Sequence, residues 1–320
     1  MKTAYLINCH KNMDHVARLA HRLHSENSHI FIHVDKKVPL EMYENLQFLT
    51  RDLKHCHISK TRINGRLDDR SLVDIVFALI SDAKQIAQQN SVHYSYYSNM
   101  SGQDYPIKPL SVIEEKLETN YPAIYMHYRD TTSASWVAKK FNRNKALIRY
   151  RDWALKCKVN IIRKFLQGLG VFLRQILKLF GQTASQRIIK NGWKYYQGSA
   201  WWVFPDYVID AIEKEYDSQT KFSTIMIDES TTPEETYFQS MVMHLFYSDL
   251  AKTNNLKTEI QNHKTYVDFG PPSNRPQTCH PYILTMNDYE RLCQSDCWYA
   301  RKFDDAVDSD IINKIDATLL

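Results

Sequence analysis

Two kinds of chemistry stand out in this chain: a carboxylate able to take a proton from a hydroxyl, and cations able to hold a phosphate. Thr232-Pro-Glu-Glu235 sets a glutamate three residues after a threonine, with proline at the first helical position. That spacing suits a capping box, in which Glu235 bonds back to the Thr232 amide, and taken alone it favours that role. The same carboxylate has the right chemistry for general-base work on an acceptor hydroxyl. Arg301-Lys302 offers positive charge. Arginine grips phosphate bidentately and lysine acts as a point charge, although an isolated Arg-Lys pair is more often simply solvated. Asp35 ends the run His29–Val34, and Asp104 lies in the turn Ser101–Pro106. Each either ties its own loop or faces a ligand. Asp308-Ser-Asp310 is the one clear D-x-D, but it precedes Ile311-Ile312 at a helix start and reads as an N-cap rather than a metal clamp. Gly198-Ser199 lies in a strand-like run, where a small residue lets a ligand approach the backbone. Trp201 and Trp202 follow on the same run, so only one of them faces a ligand. Cys279-His280 with Cys293 and Cys297 matches no common zinc spacing. No metal and no cofactor are expected.

These residues need a scaffold. Residues 4–9 and 29–34 are apolar runs of strand length, and 12–25 and 71–88 carry apolar residues at helical spacing. Short strands are expected near 55–59, 94–99 and 197–204. Helices are expected after Asp206, from Thr231, over 286–293 and over 308–315, with a loop at 270–276. Strands alternating with helices predict βαβ units and an α/β fold with a mostly parallel sheet. Ligands bind such sheets beyond the carboxyl ends of the strands, where Asp35 and Asp104 sit. Residues 153–180 differ. Leu155, Val159, Ile162, Leu166, Leu169, Leu173, Ile176 and Phe180 recur at spacings of three and four, among Lys156, Lys158, Arg163, Lys164, Arg174 and Lys178. This predicts a basic amphipathic helix, or a pair broken at Gly168 and Gly170. Such an element lies in a membrane interface, packs on its own domain or pairs with a second subunit.

At 320 residues the chain buries a large core without staples. With 43% hydrophobic and 24% charged residues it is neither disordered nor fibrous. Only 8 glycines argue against glycine-rich phosphate loops. The 20 tyrosines and 6 tryptophans suit stacking on ring-shaped ligands as well as an ordinary core. Residues 131–200 hold 15 Lys/Arg against Asp152 alone, a charge of +14 that leaves the other 250 residues at −9 within the total of +5. A basic block on an acidic protein points to an anionic partner. Its apolar stripes, without interleaved exposed aromatics, argue against nucleic acid. The first residues read as a strand rather than a signal peptide, no charge-free stretch of spanning length occurs, and the six cysteines are expected to be reduced thiols. A cytoplasmic protein, held at the membrane's inner face if 153–180 binds lipid, is the expectation.

Five segments in order resemble the Core-2/I-branching β1,6-N-acetylglucosaminyltransferase family, which includes peptide O-xylosyltransferases. They are Tyr5-Leu-Ile with His10-Lys11 and His33-Val-Asp35, then Ser101-Gly-Gln-Asp-Tyr-Pro-Ile-Lys108, Gly198-Ser-Ala-Trp-Trp202, Thr232-Pro-Glu-Glu235, and Ala300-Arg-Lys-Phe-Asp304. The resemblance runs from residue 4 to about 315. It implies one GT-A-like domain: residues 1–125 nucleotide-binding, 126–196 a basic helical insertion on the acceptor side, 197–320 catalytic and diphosphate-binding. It also implies an inverting, metal-independent transfer of GlcNAc or xylose from UDP-GlcNAc or UDP-xylose to an oligosaccharide or lipid-linked glycan, with Glu235 as base. His10 and Asp35 would lie near the uridine, Arg301 and Lys302 on the diphosphate, Asp104, Gly198 and Ser199 along the donor. Glu234, Trp201, Tyr266, Asp268 and Phe269 would meet the acceptor. Two departures stand out. Asn64-Gly-Arg-Leu67 lies where family members often carry tryptophan, and residues 150–190 do not resemble the animal enzymes. The rival readings are a metal-dependent transferase using Asp308 and Asp310, and a basic nucleic-acid- or membrane-binding protein.

Overall fold

The computed structural model describes residues 1–67, 69–130, 145–230, 232–252, 263–270, 275–278 and 280–319. The expectations at Thr231, at 271–274 and at Cys279 fall outside them. The first half alternates β1 (Thr3–Cys9), α1 (Met13–Leu23), β2 (Ser28–Val34), α2 (Leu40–Leu49), β3 (Cys56–Ile58), α3 (Ser71–Asn90), β4 (Tyr96–Ser101), β5 (Asp104–Pro106), α4 (Leu110–Asn120) and β6 (Tyr125–Asp130). Then come α5 (Lys145–Leu155), α6 (Asn160–Leu179), α7 (Ala184–Lys190), β7 (Tyr196–Pro205), α8 (Asp206–Asp217) and α9 (Lys221–Asp228). A single 3-10 turn, Pro233–Glu235, leads into α10 (Tyr237–Lys252). The chain closes with β8 (Thr265–Val267), α11 (Tyr289–Gln294), β9 (Tyr299–Arg301) and α12 (Asp310–Thr318).

Among the described residues six strands form one sheet in the order β3-β2-β1-β4-β7-β6. The first four are mutually parallel, and β7 runs antiparallel to both its neighbours. This is the mixed, helix-flanked α/β architecture expected. Both faces are covered. In β1, Ala4 and Leu6 join one buried cluster with α3, while Tyr5, Ile7 and Cys9 join the other with α1. That is why the strand is a continuous apolar run rather than an alternating one. A smaller sheet, β5-β9-β8, joins a segment near residue 105 to two near 266 and 300.

The amphipathic segment departs from expectation. The break falls at residues 156–159, between α5 and α6, and α6 runs unbroken through Gly168 and Gly170. Gly170 is explained by close crossing: a Cβ there would meet the Tyr150 ring of α5 at 3.1 Å.

Candidate active site

Three strands build a cleft of about 450 Å³. His127 and Arg129 come from β6, Gln197, Ser199 and Trp201 from β7, and Thr265 and Val267 from β8. All are odd-numbered, because alternate side chains of a strand share a face, and Gly198, which has no side chain, adds its backbone. Glu235, His263 and Phe269 complete the wall. Trp201 faces the cleft, while Trp202 is buried and stacks on Phe204 with ring centroids 4.2 Å apart.

Glu235 does not close a capping box. The Thr232 amide donates instead to Ser230 Oγ at 3.3 Å, and the turn has no side-chain cap. The Glu235 carboxylate meets Gln197, whose Nε2 donates to its Oε2 at 3.1 Å. A 3-10 turn rather than a full helical start swings the side chain to β7. Of the two roles open in the sequence, capping is therefore removed by geometry. Glu234 is not among the residues that line the cleft.

Gly198 lines the cleft and also meets a backbone constraint. A Cβ there would meet the His127 carbonyl oxygen at 1.8 Å, where β6 bulges against β7. This backbone crossing by itself requires glycine. Ser199 lies beside it and accepts the Trp201 amide at 3.3 Å.

Behind Trp201 lies a buried ion pair. The Arg301 guanidinium stacks 3.7 Å from the Trp201 ring centroid, and its Nη1 lies 3.2 Å from Asp104 Oδ1. Asp104 is fully buried and also accepts the Ser101 amide at 2.8 Å. Burial pushes the Asp104 carboxyl up and the Arg301 guanidinium down, and each offsets the other. This pair stiffens the floor under Trp201. It does not present Asp104 to a ligand, and Arg301 is buried with it.

Lys302, the next residue, belongs to a different group. Burial, with Lys11 and Arg301 nearby, holds its ammonium below the usual lysine range. His10 is likewise lowered by burial and by Lys11, with Lys37 and Lys302 adding to the effect. Lys11 is paired to Asp304 at 2.6 Å, whereas Lys302 makes no ion pair among the described residues. These cations gather past the carboxyl ends of β1 and β9, where their mutual repulsion would be relieved by an anion. Asp35 is beside them at the end of β2. Its two oxygens accept the Lys37 amide at 2.8 Å and the Gly65 amide at 2.9 Å, so it ties the loop after β2 to the approach of α3.

Tyr266 and Asp268 are turned away from the cleft. They occupy the even positions that alternation sends to the opposite face. Tyr266 packs on the core, and Asp268 accepts the Gly270 amide at 2.8 Å and pairs with Arg275 at 2.9 Å. Phe269 remains on the cleft wall. The D-x-D caps α12: Asp308 Oδ1 accepts the amides of Asp310 and Ile311 at 2.9 and 3.2 Å, and Oδ2 accepts that of Met286 at 2.9 Å. No group of three potential metal ligands occurs among the described residues.

His127, Arg129, Gln197 and His263 were not singled out in the sequence. The alternation of His127 with Arg129, and of Gln197 with Ser199 and Trp201, is the signal that would have found three of them. His263 has no such signal. It is lowered to about 4 by burial, with its ring 6.3 Å from that of His127 and 6.4 Å from that of Trp201.

No family model matches the chain, and no curated protein matches it in sequence. Among solved structures it is similar to apo mouse xyloside xylosyltransferase 1, with 7% identity over 93% of this chain and 97% of that one and a TM-score of 0.36.

Proposed function

We propose that the protein is an inverting glycosyltransferase. It moves GlcNAc or xylose from a UDP-sugar to a hydroxyl of a glycan acceptor, without a metal, with Glu235 as general base. The observation that carries this reading is the placement of Glu235: a carboxylate on the wall of an aromatic-lined cleft, held by Gln197. The five ordered motif segments support the same assignment.

In this reaction the acceptor oxygen attacks the anomeric carbon from the face opposite the diphosphate. Glu235 takes the hydroxyl proton as the new C–O bond forms. The bond from the anomeric carbon to the diphosphate oxygen breaks, and its electron pair leaves with the UDP. Lys302 offsets the charge that develops there, and the neutral His10 ring can donate its N–H to it. Trp201 offers a stacking face to a sugar ring, backed by Arg301 and Asp104.

The first test is calorimetric titration with UDP in excess EDTA. Micromolar binding is expected, and a subsequent screen of UDP-sugars identifies the donor. Binding that needs Mn²⁺ would move the diphosphate to a carboxylate site and refute metal independence. No binding under either condition would refute a UDP donor.

A further inference from the structure

Helix α6 is 20 residues long, about 30 Å, and none of its residues is buried. It has three faces. Arg163, Leu166, Gly170, Leu173 and Leu177 are half-buried, and the face they form meets α5 at Tyr150, whose hydroxyl donates to the Leu166 carbonyl at 2.8 Å. A second face, an arc of about 100° at the helical repeat, exposes Ile161, Ile162, Phe165, Leu169, Phe172 and Leu179. Ile161 is 81% exposed, Phe165 70%, Phe172 61% and Leu179 84%. The third face carries Lys164, Arg174 and Lys178. Trp153, 60% exposed at the end of α5, adds an amphipathic ring. Residues 153–180 contain six Lys/Arg and no acid.

An apolar stripe this continuous costs free energy in water, so something covers it. Charge decides what. A second copy laid on the stripe would add six more cations and no carboxylate from the same segment to pair them. An anionic bilayer supplies the opposite sign and an apolar layer under it. No described helix is long and apolar enough to cross a membrane, so α6 would lie in the interface plane. We propose that the α5–α6 hairpin is an in-plane anchor that docks this protein on an anionic lipid surface. The hairpin is inserted between β6 and β7, the two strands that carry His127, Arg129 and Trp201. Docking there would hold the cleft close to acceptors carried on lipid, a consequence that rests on the proposed transferase reading.

The test uses the full chain in vesicle flotation. The probes are vesicles of equal parts phosphatidylglycerol and phosphatidylcholine, and vesicles of phosphatidylcholine alone. Binding to the anionic vesicles is expected, weakening as salt rises. The double variant Phe165→Glu, Phe172→Glu should lower the partition coefficient at least about tenfold, with thermal melting and UDP titration unchanged. Equal binding to both vesicle types would overturn the electrostatic part. Absence of vesicle binding, with light scattering showing a dimer that the double variant splits, would assign the stripe to a second copy. The UDP titration is independent of vesicles, so failure of the anchor and failure of the transferase reading give different results.

Discussion

At the scale of single residues, two acidic groups in the candidate site have opposite roles. Glu235 sits at the cleft with an amide partner, whereas Asp104 is buried against Arg301. Glu235→Gln keeps size and hydrogen bonding but cannot accept a proton. It is expected to lower turnover by about 10²–10⁴-fold while leaving UDP affinity and melting temperature unchanged. Full turnover in the variant would sink the base assignment. Lys302→Met and Arg301→Met should separate just as cleanly. The first is expected to weaken UDP binding on the order of tenfold with little change in stability. The second leaves Asp104 as an uncompensated buried charge and should cost about 3–5 kcal/mol of stability by denaturant titration. Equal effects of the two on UDP affinity, with stability intact, would show that both residues touch the ligand. Residue types and motif order single out Glu235, His10 and Lys302 in the sequence. Burial was not legible: neighbours in sequence, Arg301 and Lys302 have different surroundings because Arg301 ends β9 inside the small sheet and Lys302 lies beyond it.

At the scale of elements, alternation explains most of what sequence reading misplaced. Strand β8 presents Thr265 and Val267 to the cleft, so Tyr266 and Asp268 face away. A three-residue strand is too short to declare its phase, and its partner β9 lies far along the chain. In β6 the alternation of His127 with Arg129 is only two residues long and sits beside a bulge between Met126 and Tyr128. The bulge also makes a sharp prediction. Gly198→Ala places a methyl on the His127 carbonyl, which no rotamer can relieve. It should destabilise the fold by at least about 2 kcal/mol, measured by chemical denaturation. A stable Gly198→Ala variant that has lost only activity would return the glycine to a ligand-facing role.

At the scale of the whole molecule, two buried histidines and the half-buried His263 predict how stability depends on pH. His29, His33 and His263 are each lowered by burial to about 4. Their geometry requires the neutral form: His33 Nε2 accepts the Ile63 amide at 2.9 Å, and His263 Nδ1 accepts the Thr265 amide at 3.2 Å. Each has a higher proton affinity unfolded, near 6.5, than folded, near 4. The unfolded state therefore binds more protons between those values, and stability rises with pH across that window. Melting temperature should fall steadily as pH drops from about 6.5 towards 4, and His33→Gln should flatten part of that slope. A flat profile over that range would contradict the buried neutral assignment.

The local pattern by itself determined the α/β class, the continuous apolar strands β1 and β2 and the amphipathic character of 153–180. Each depends on short-range periodicity or on a few adjacent residues. Tertiary structure alone decided which side chains share the cleft, that the Thr232 amide donates to Ser230 while Glu235 meets Gln197, that Asp104 and Arg301 neutralise each other under Trp201, and that the apolar stripe of α6 is left uncovered. Those outcomes depend on groups brought together from segments up to some two hundred residues apart, such as Asp104 and Arg301. No spacing along the chain encodes such an encounter.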